Sequence, residues 1–415
     1  MATGPRSPRR SPAPRATRVI VVGGGPAGLF AALALHHAGA RVAIAAPPHR
    51  PGGDRRTSAL LRGSVGALEA LGVWQRVADR AAPLAVMRLV DDTGRLIRAP
   101  LFEGRASELG LEAFGYNIAN DDLNAALTEA IGEAGIPRYP AGVTAVAIGD
   151  EGAEVVLADG ERLAGALVVG ADGRRSIVRE AAGIPVVEER YPQVTVTANL
   201  RHTRPHQDVS TEFHTPDGPF TLVPLPGLRS SLVWVVRPPE AERLCGLDDA
   251  SFARAVERRS QGLLGRITAE PGRGAFPLAV MTPQRFADQR VALVGEAAHV
   301  VPPIGAQGLN LGLRDGAALA DCVADALAAG ADIGGTALAA AYDRTRRADI
   351  VSRSAVIHML NRSLLSDFLP LNGLRSLGLW ALDQFGPLRR TFMREGLEPS
   401  FVQPRLMRGS LPTAA

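Results

Sequence analysis

Three short stretches carry residues whose types and spacing suit nucleotide chemistry. The first, Gly23-Gly24-Gly25-Pro26-Ala27-Gly28, sets glycines in a GxGxxG spacing directly after Val19-Ile20-Val21-Val22. Gly23 permits a tight turn, Gly25 lets the backbone approach a pyrophosphate, and Gly28 lets the following helix pack on the strand. Pro26 and Ala27 fall at the helix start, whose free N–H groups and positive dipole end attract phosphate. The second stretch is Asp172-Gly173, after the apolar run Leu167–Ala171 and ahead of Ser176, a plausible helix cap. The third, Gly295-Glu296, follows Val291-Ala292-Leu293-Val294 and runs on through Pro302, Pro303, Gly305, Ala306, Gln307 and Gly308 to Asn310.

The first turn predicts an ADP-containing dinucleotide, and the two later stretches are what can separate FAD from NAD. One expected element is missing. An acid about 20 residues past the glycines usually bonds the adenosine ribose, but the second strand ends in Ala45-Ala46-Pro47-Pro48. Asp54 could substitute only if its loop folds back, so the ribose contact stays unassigned.

Other reactive side chains read differently. His299 has two readings, a proton shuttle or a packed or phosphate-proximal group, and packing is favoured. His202 and His206 fall in a strand-to-loop stretch and not on one helix face, so no metal site is expected. Cys245 and Cys322 form no CxxC, which excludes a disulfide scaffold, a zinc module and a dithiol flavoprotein reductase. Cys322 lies on a helical apolar pattern and reads as packing. Trp234 faces either core or substrate.

The elements that position these residues follow from pattern and composition. The 415 residues allow two or three domains, and 46% hydrophobic with 21% charged residues excludes a disordered chain or polytopic membrane protein. All 46 basic residues are Arg, so the pI of 9.6 overstates a net charge of only +4, and no nucleic-acid partner is expected. Residues 1–17, rich in Pro and Arg, read as a disordered tail. The apolar run Val19–Ala40 is broken by Gly23-Gly24-Gly25-Pro26 and does not read as a membrane helix. Val19–Val22 and Arg41–Ala46 read as buried parallel strands flanking a helix. Gln193–Arg201, Ser210–His214, Phe220–Pro224 and Ser230–Val236 read as strands of an antiparallel sheet. Val86–Asp91 and Leu96–Ala99 join them as a hairpin around Asp92-Thr93-Gly94. From Leu309 the pattern is helical to near Arg394. Ala355–Leu371 and Leu374–Arg394 carry apolar faces with Arg375, Arg389, Arg390 and Arg394, which suit internal packing or a dimer interface, with an anionic membrane surface or a partner protein as the alternative.

Taken in this order and spacing, the three stretches resemble the class A flavoprotein monooxygenases, single-component aromatic hydroxylases. Arg56-Thr57-Ser58-Ala59-Leu60 and Pro303–Asp315 are similar to the ubiquinone-biosynthesis hydroxylases of the UbiH/UbiF type. The resemblance spans Arg18 to Arg394. It implies an α/β (α+β) fold of p-hydroxybenzoate-hydroxylase type, with a Rossmann-like FAD-binding domain, an antiparallel β-sheet substrate domain and C-terminal helices. The flavin domain is expected from 18–75, 105–185 and 281–345, the substrate domain from 76–104 and 186–280, and a helical region and tail from 346–415.

The resemblance further implies that Gly295 brings the backbone close to the flavin chain and that Glu296, where the family usually has Asp, accepts bonds from ribitol hydroxyls. Pro302, Pro303, Gly305, Ala306, Gln307, Gly308 and Asn310 would border the flavin ring, and Asp172 the pyrophosphate and the nicotinamide approach. Arg56 matches a family Arg near the flavin. Asn120 stands where relatives often place a cofactor-contacting Arg, although a plain helix cap is the favoured reading. The implied activity is hydroxylation of a polyprenylated phenol in ubiquinone biosynthesis, with FAD, NADH or NADPH, O2 and a flavin hydroperoxide. Alternatives are an epoxidase, a halogenase or isoprenoid reductase on the same scaffold (the lack of Lys tells against a halogenase), or a non-catalytic flavin-bearing subunit of a biosynthetic complex. A cytoplasmic location is expected, with peripheral contact at the inner membrane face and a homodimer left open.

Overall fold

The computed structural model describes residues 18–49, 52–94, 100–303, 305–365, 384–397 and 403–413, with 378 and 380. The expected tail at 1–17, the strand Leu96–Ala99 and residues 366–377 lie outside the described residues.

Val19–Val22 are 0–3% exposed because the strand Arg18–Val22 is covered on both faces, which is why it is apolar without alternation. It sits inside a six-stranded sheet with the order Ala287–Asp288, Val291–Leu293, Leu167–Gly170, Arg18–Val22, Arg41–Ala45, Arg138–Tyr139. All pairings are parallel except the first. Val22 lies opposite both Gly170 and Ala45, and Gly170 opposite Leu293, so the three motif-bearing strands end at one level of the sheet.

The helix Pro26–His37 starts with Pro at its first turn and buries every residue from Gly28 to Leu35. It packs against the helices Asn120–Glu133 and Gln307–Ala328. The latter begins at Gln307, two residues before the expected start. Close approach is possible because Gly316 faces Phe30 and Ala31 at about the distance of backbone contact, 3.0–3.1 Å from where a Cβ would sit.

The second large sheet contains the expected strands, extended to Val186–His202, Val209–Thr215, Gly218–Leu225 and Arg229–Val236. Two features differ from expectation. Val86–Asp91 pairs in parallel with Val209–Thr215, so the sheet is mixed and not wholly antiparallel. Its antiparallel partner is Phe102–Arg105, beyond the expected hairpin arm. Val86 enters from the first domain and not by a hairpin from its neighbour, which leaves its direction free.

Strand alternation divides this sheet into two faces. Leu200, Leu222, Leu232 and Trp234 point to a core closed by Leu244, Phe252 and Val256 of the helices Pro238–Gly246 and Asp249–Arg259. Trp234 meets Phe220 edge-on at 5.1 Å, which settles it as core. The opposite face turns to the first domain, where Ser231 Oγ accepts bonds from Thr57 Oγ1 at 2.9 Å and Asn117 Nδ2 at 3.1 Å.

The helix Thr336–Leu365 runs through the division expected between 345 and 346. Tyr342, Arg346, Asp349 and Ile350 are all buried, so the chain beyond 345 continues the first domain's core. Likewise the strands Phe102–Arg105 and Gly274–Pro283 cross the divisions expected at 104 and 280. The side chains of the stripe from Ala355 to Leu371, with Leu374, Arg375 and Leu377, lie outside the described residues.

Candidate functional site

Because the three strands end together, their turns meet. Gly23 has φ +124° and donates its N–H to Ala45 O at 3.0 Å, and a Cβ there would run into Ala171 O. A Cβ on Gly28 would strike Gly23 O and lie 3.0 Å from Ala171 Cβ, which locks the first turn to the second. Gly295, at φ +61°, leaves 2.9 Å between the place of a Cβ and Ala27 Cβ, which joins the third turn to the first.

The first two turns open onto a cleft of about 510 Å³ lined by Gly23, Gly24, Gly25, Pro47, Asp172 and Arg175 among others. A volume of this order suits a bound small molecule. The helix Pro26–His37 has neither a capping side chain nor an acid in its first turn, so its N-terminal N–H groups are left for an anion. Gly25 has no protein atom within 4 Å of a would-be Cβ, so it faces open space. Arg175 adds a cation that the sequence reading passed over; its position three residues after Asp172 was the available signal.

Asp172 Oδ2 accepts from Ile177 N at 2.7 Å and Val178 N at 3.3 Å, holding the start of the helix Ile177–Ala181 together with Ser176, whose Oγ accepts from Arg179 N at 3.0 Å. Asp172 Oδ1 is buried with no hydrogen-bond partner. Such an oxygen at a cleft wall calls for a donor from outside the protein.

Gly295–Ala297 form a single 3-10 turn. Gly295 N donates to Asp315 Oδ2 at 2.9 Å, and the same oxygen takes His299 Nε2 at 2.7 Å. His299 is 2% exposed, so its side chain is a packed partner of Asp315, in line with the favoured reading and not with a shuttle open to solvent. The Glu296 side chain, by contrast, is exposed.

The loop before the helix Gln307–Ala328 is strained. Pro302 is buried and Pro303 exposed, while Gly305 and Ala306 adopt φ +65° and +56° in succession. For Ala306 the left-handed conformation costs on the order of 1–2 kcal/mol. Gln307 Nε2 bonds Gly305 O at 3.0 Å, and Gly308 is exposed on the first turn of a helix without a capping side chain or acid.

Asn310, expected at the cofactor, spends its amide on the protein. It donates to Ala59 O at 2.8 Å and Ala306 O at 2.6 Å and accepts from Leu61 N at 2.9 Å. It positions the strained loop against the strand Thr57–Leu61. Asn120 is not a cap either: the helix N-cap is Ala119, and Asn120 accepts from Ser58 Oγ at 2.7 Å and donates to Asp54 Oδ2 at 3.0 Å. The cap reading fails because Asn120 already lies inside the helix, its side chain turned to the neighbouring loop.

Asp54 forms a two-point ion pair with Arg56 at 2.8 Å. Burial pushes its carboxyl up, but the bonds from Arg56 and Asn120 outweigh that and bring its pKa down to about 2. Asp54 is therefore held by Arg56 and Asn120. The bond to Asp54 raises the Arg56 pKa against an opposing desolvation, with a smaller contribution from the charge of Glu296. The guanidinium lies 5.3 Å from the ring centroid of Phe276. Thus Arg56 stands between the two domains, within electrostatic reach of the third turn.

His202 engages Arg204 O and Ser230 Oγ at 2.8 and 3.0 Å, and among the described residues no three His, Cys, Asp or Glu side chains gather as metal ligands. Burial, then Asp321 and Asp325, push the Cys322 thiol up to about 12, which leaves it inert.

Comparison with known proteins gives a consistent picture. Residues 16–354 match the family model described as an FAD binding domain. The chain is 36% identical to the ubiquinone hydroxylase UbiL of Rhodospirillum rubrum, with 98% of this chain and 96% of that protein covered. It is 32% identical to the 3-demethoxyubiquinol 3-hydroxylase of Escherichia coli, covering 92% and 98%. Among solved structures, the p-nitrophenol 4-monooxygenase PnpA of Pseudomonas putida DLL-E4 shares the fold, with a TM-score of 0.76, 20% identity and coverage of 92% and 98%.

Two glycine substitutions separate packing from binding. Gly28→Ala should cost about 1–3 kcal/mol of stability in thermal unfolding, by overpacking against the first two turns. Gly25→Ala should leave the melting temperature of the nucleotide-free protein unchanged and weaken nucleotide retention alone.

Proposed function

The chain belongs to the FAD binding domain family, and from that premise we propose that it is an FAD-dependent hydroxylase acting on the aromatic ring of a polyprenylated phenol in ubiquinone biosynthesis, with NADH or NADPH as reductant. The convergence of the turns at Gly25, Asp172 and Glu296 on one side of the parallel sheet is the observation that carries this reading. Relatives named as hydroxylases of ubiquinones and their precursors support the substrate class.

The residues present fit FAD. The uncapped helix at Pro26 and the open face of Gly25 suit the pyrophosphate, and the orphaned Asp172 Oδ1 and the exposed Glu296 carboxylate suit hydroxyl donors. FAD, when bound, supplies O2 activation at the expense of NAD(P)H, so that one oxygen atom enters the ring and the other leaves as water. The left-handed pair Gly305-Ala306 aims the N-terminus of the helix Gln307–Ala328 at the site, and its dipole favours negative charge developing there. The sheet face bearing Ser231 closes the opposite side and keeps water from the reacting ring. Arg56, fixed by Asp54, holds a positive charge at the junction.

The purified protein should be yellow, should oxidise NAD(P)H faster when a polyprenylated phenol is added, and should yield product heavier by one oxygen atom. Product gaining hydrogen without oxygen would favour a reductase, and a colourless protein the non-catalytic subunit.

Peripheral membrane contact belongs to the same proposal. Among the described residues no helix is long and apolar enough to cross a membrane. The helix Gly386–Leu397 is anchored by buried Met393 and by the Arg389–Glu108 ion pair at 2.7 Å. It leaves Phe385 and Leu388 56% and 48% exposed beside Trp380 at 47%, with Arg390 and Arg394 also exposed. Aromatic and aliphatic groups next to arginines suit an anionic lipid surface. The protein should float with vesicles containing anionic lipid, and the triple variant Trp380→Ala, Phe385→Ala, Leu388→Ala should stay in the pellet; wild type that does not float contradicts the contact.

A further inference from the structure

The Glu296 carboxylate is exposed and takes no hydrogen bond from the protein among the described residues, so its aim depends on the backbone that carries it. That backbone is gripped on both sides by buried charges. Before Glu296, Gly295 N donates to Asp315 Oδ2 at 2.9 Å, and Asp315 is 0% exposed. After it, Ala297 O accepts from Arg179 Nη1 at 2.9 Å, and Arg179 is 6% exposed.

Each grip is itself held. Arg346 Nε donates to Asp315 Oδ1 at 2.7 Å, and Arg346 Nη1 to Asp349 Oδ2 at 2.8 Å. Arg314 Nη1 reaches both Asp349 oxygens at 3.1 Å. Two arginines and two aspartates thus balance in a space closed to water. Arg179 spends its other terminal nitrogen, Nη2, on Arg174 O at 2.8 Å, which ties the third turn to the second.

Buried ion pairs seldom stabilise a fold more than apolar groups of the same size would, because desolvation consumes the Coulombic gain. What such a cluster does supply is direction, since each member fixes the geometry of the next. The Glu296 carboxylate sits at the end of a long, freely rotating side chain, so a loosely held backbone would cost it much of its aim.

We propose that Asp315 and Arg179 are positioning residues for the flavin, clamping the Gly295–Ala297 turn so that Glu296 meets the ribityl hydroxyls. This rests on the reading of Glu296 as a flavin contact. Asp315 would act on the cofactor through a residue it does not touch.

The test is flavin release from the holoenzyme on serial dilution, followed by the fluorescence of freed FAD, with melting temperature measured alongside. Glu296→Ala should raise the FAD Kd about tenfold, and Asp315→Asn and Arg179→Gln by a similar factor, which corresponds to about 1.4 kcal/mol each. The double variants Asp315→Asn/Glu296→Ala and Arg179→Gln/Glu296→Ala should bind no more weakly than Glu296→Ala alone. Tyr342→Phe, which removes the bond to Leu293 O in the same core, should lower the melting temperature and leave the Kd unchanged. Multiplying effects in the doubles, or wild-type affinity in both clamp variants while Glu296→Ala is impaired, would overturn the clamp alone. Wild-type affinity in Glu296→Ala would overturn the flavin contact on which it rests. Should Asp315→Asn fail to fold, Arg179→Gln and its double decide.

Discussion

The molecule depends on one constraint of hydrogen-bond register: three parallel strands, drawn from the start, middle and late part of the chain, end at the same level of one sheet. In a parallel sheet the loops that leave the strand ends share one edge, and ligands bind in the crevice outside that edge. Register alone therefore brings Gly23, Asp172 and Gly295 together, although more than a hundred residues separate each from the next along the chain. The close contacts follow from this. Gly23 presses on Ala171, and Gly295 on Ala27, because the turns compete for one small space.

Around that edge the chain spends polar groups on position. Asn310 stitches the strained loop at Ala306 to the strand Thr57–Leu61, and Asp54 and Asn120 fix Arg56 and Ser58. Left-handed Ala306 is costly on its own and persists because Asn310 bonds its carbonyl. Among the described residues, Asp172 Oδ1 at the cleft wall has no protein partner, and the Glu296 carboxylate on the third turn is exposed. Rigid support with unpaired tips is the arrangement a cofactor site requires.

What could be read in the sequence, and what could not, divides along physical lines. The strand at Val19 was legible because continuous β-branched residues mark burial on both faces, and glycines mark the turn. The strands of the second large sheet were legible from their Pro, Gly and Asp breaks. The strand Phe102–Arg105 was not, since in four residues it has one large apolar side chain, Phe102, and the ion pairs of Glu103 with Arg88 and Arg105 appear only in the fold. Asn120 looked like a cap because Asn before Asp-Asp has that composition, yet its neighbours in space come from residues 54 and 58. Asp315 and Arg346, on separate helices, have the composition of solvated faces, and only their tertiary pairing shows them to be buried. Local pattern gives the elements; partners that meet across the fold leave no local trace.

The convergence of the three turns implies that they serve one flavin. Determining the structure of the protein with FAD bound tests it most directly. A single FAD is expected, with its pyrophosphate on the N–H groups after Gly25 and its ribityl chain reaching the Glu296 carboxylate. An FAD seated on the first turn but directed away from Glu296, or a second nucleotide occupying the third turn, would contradict it.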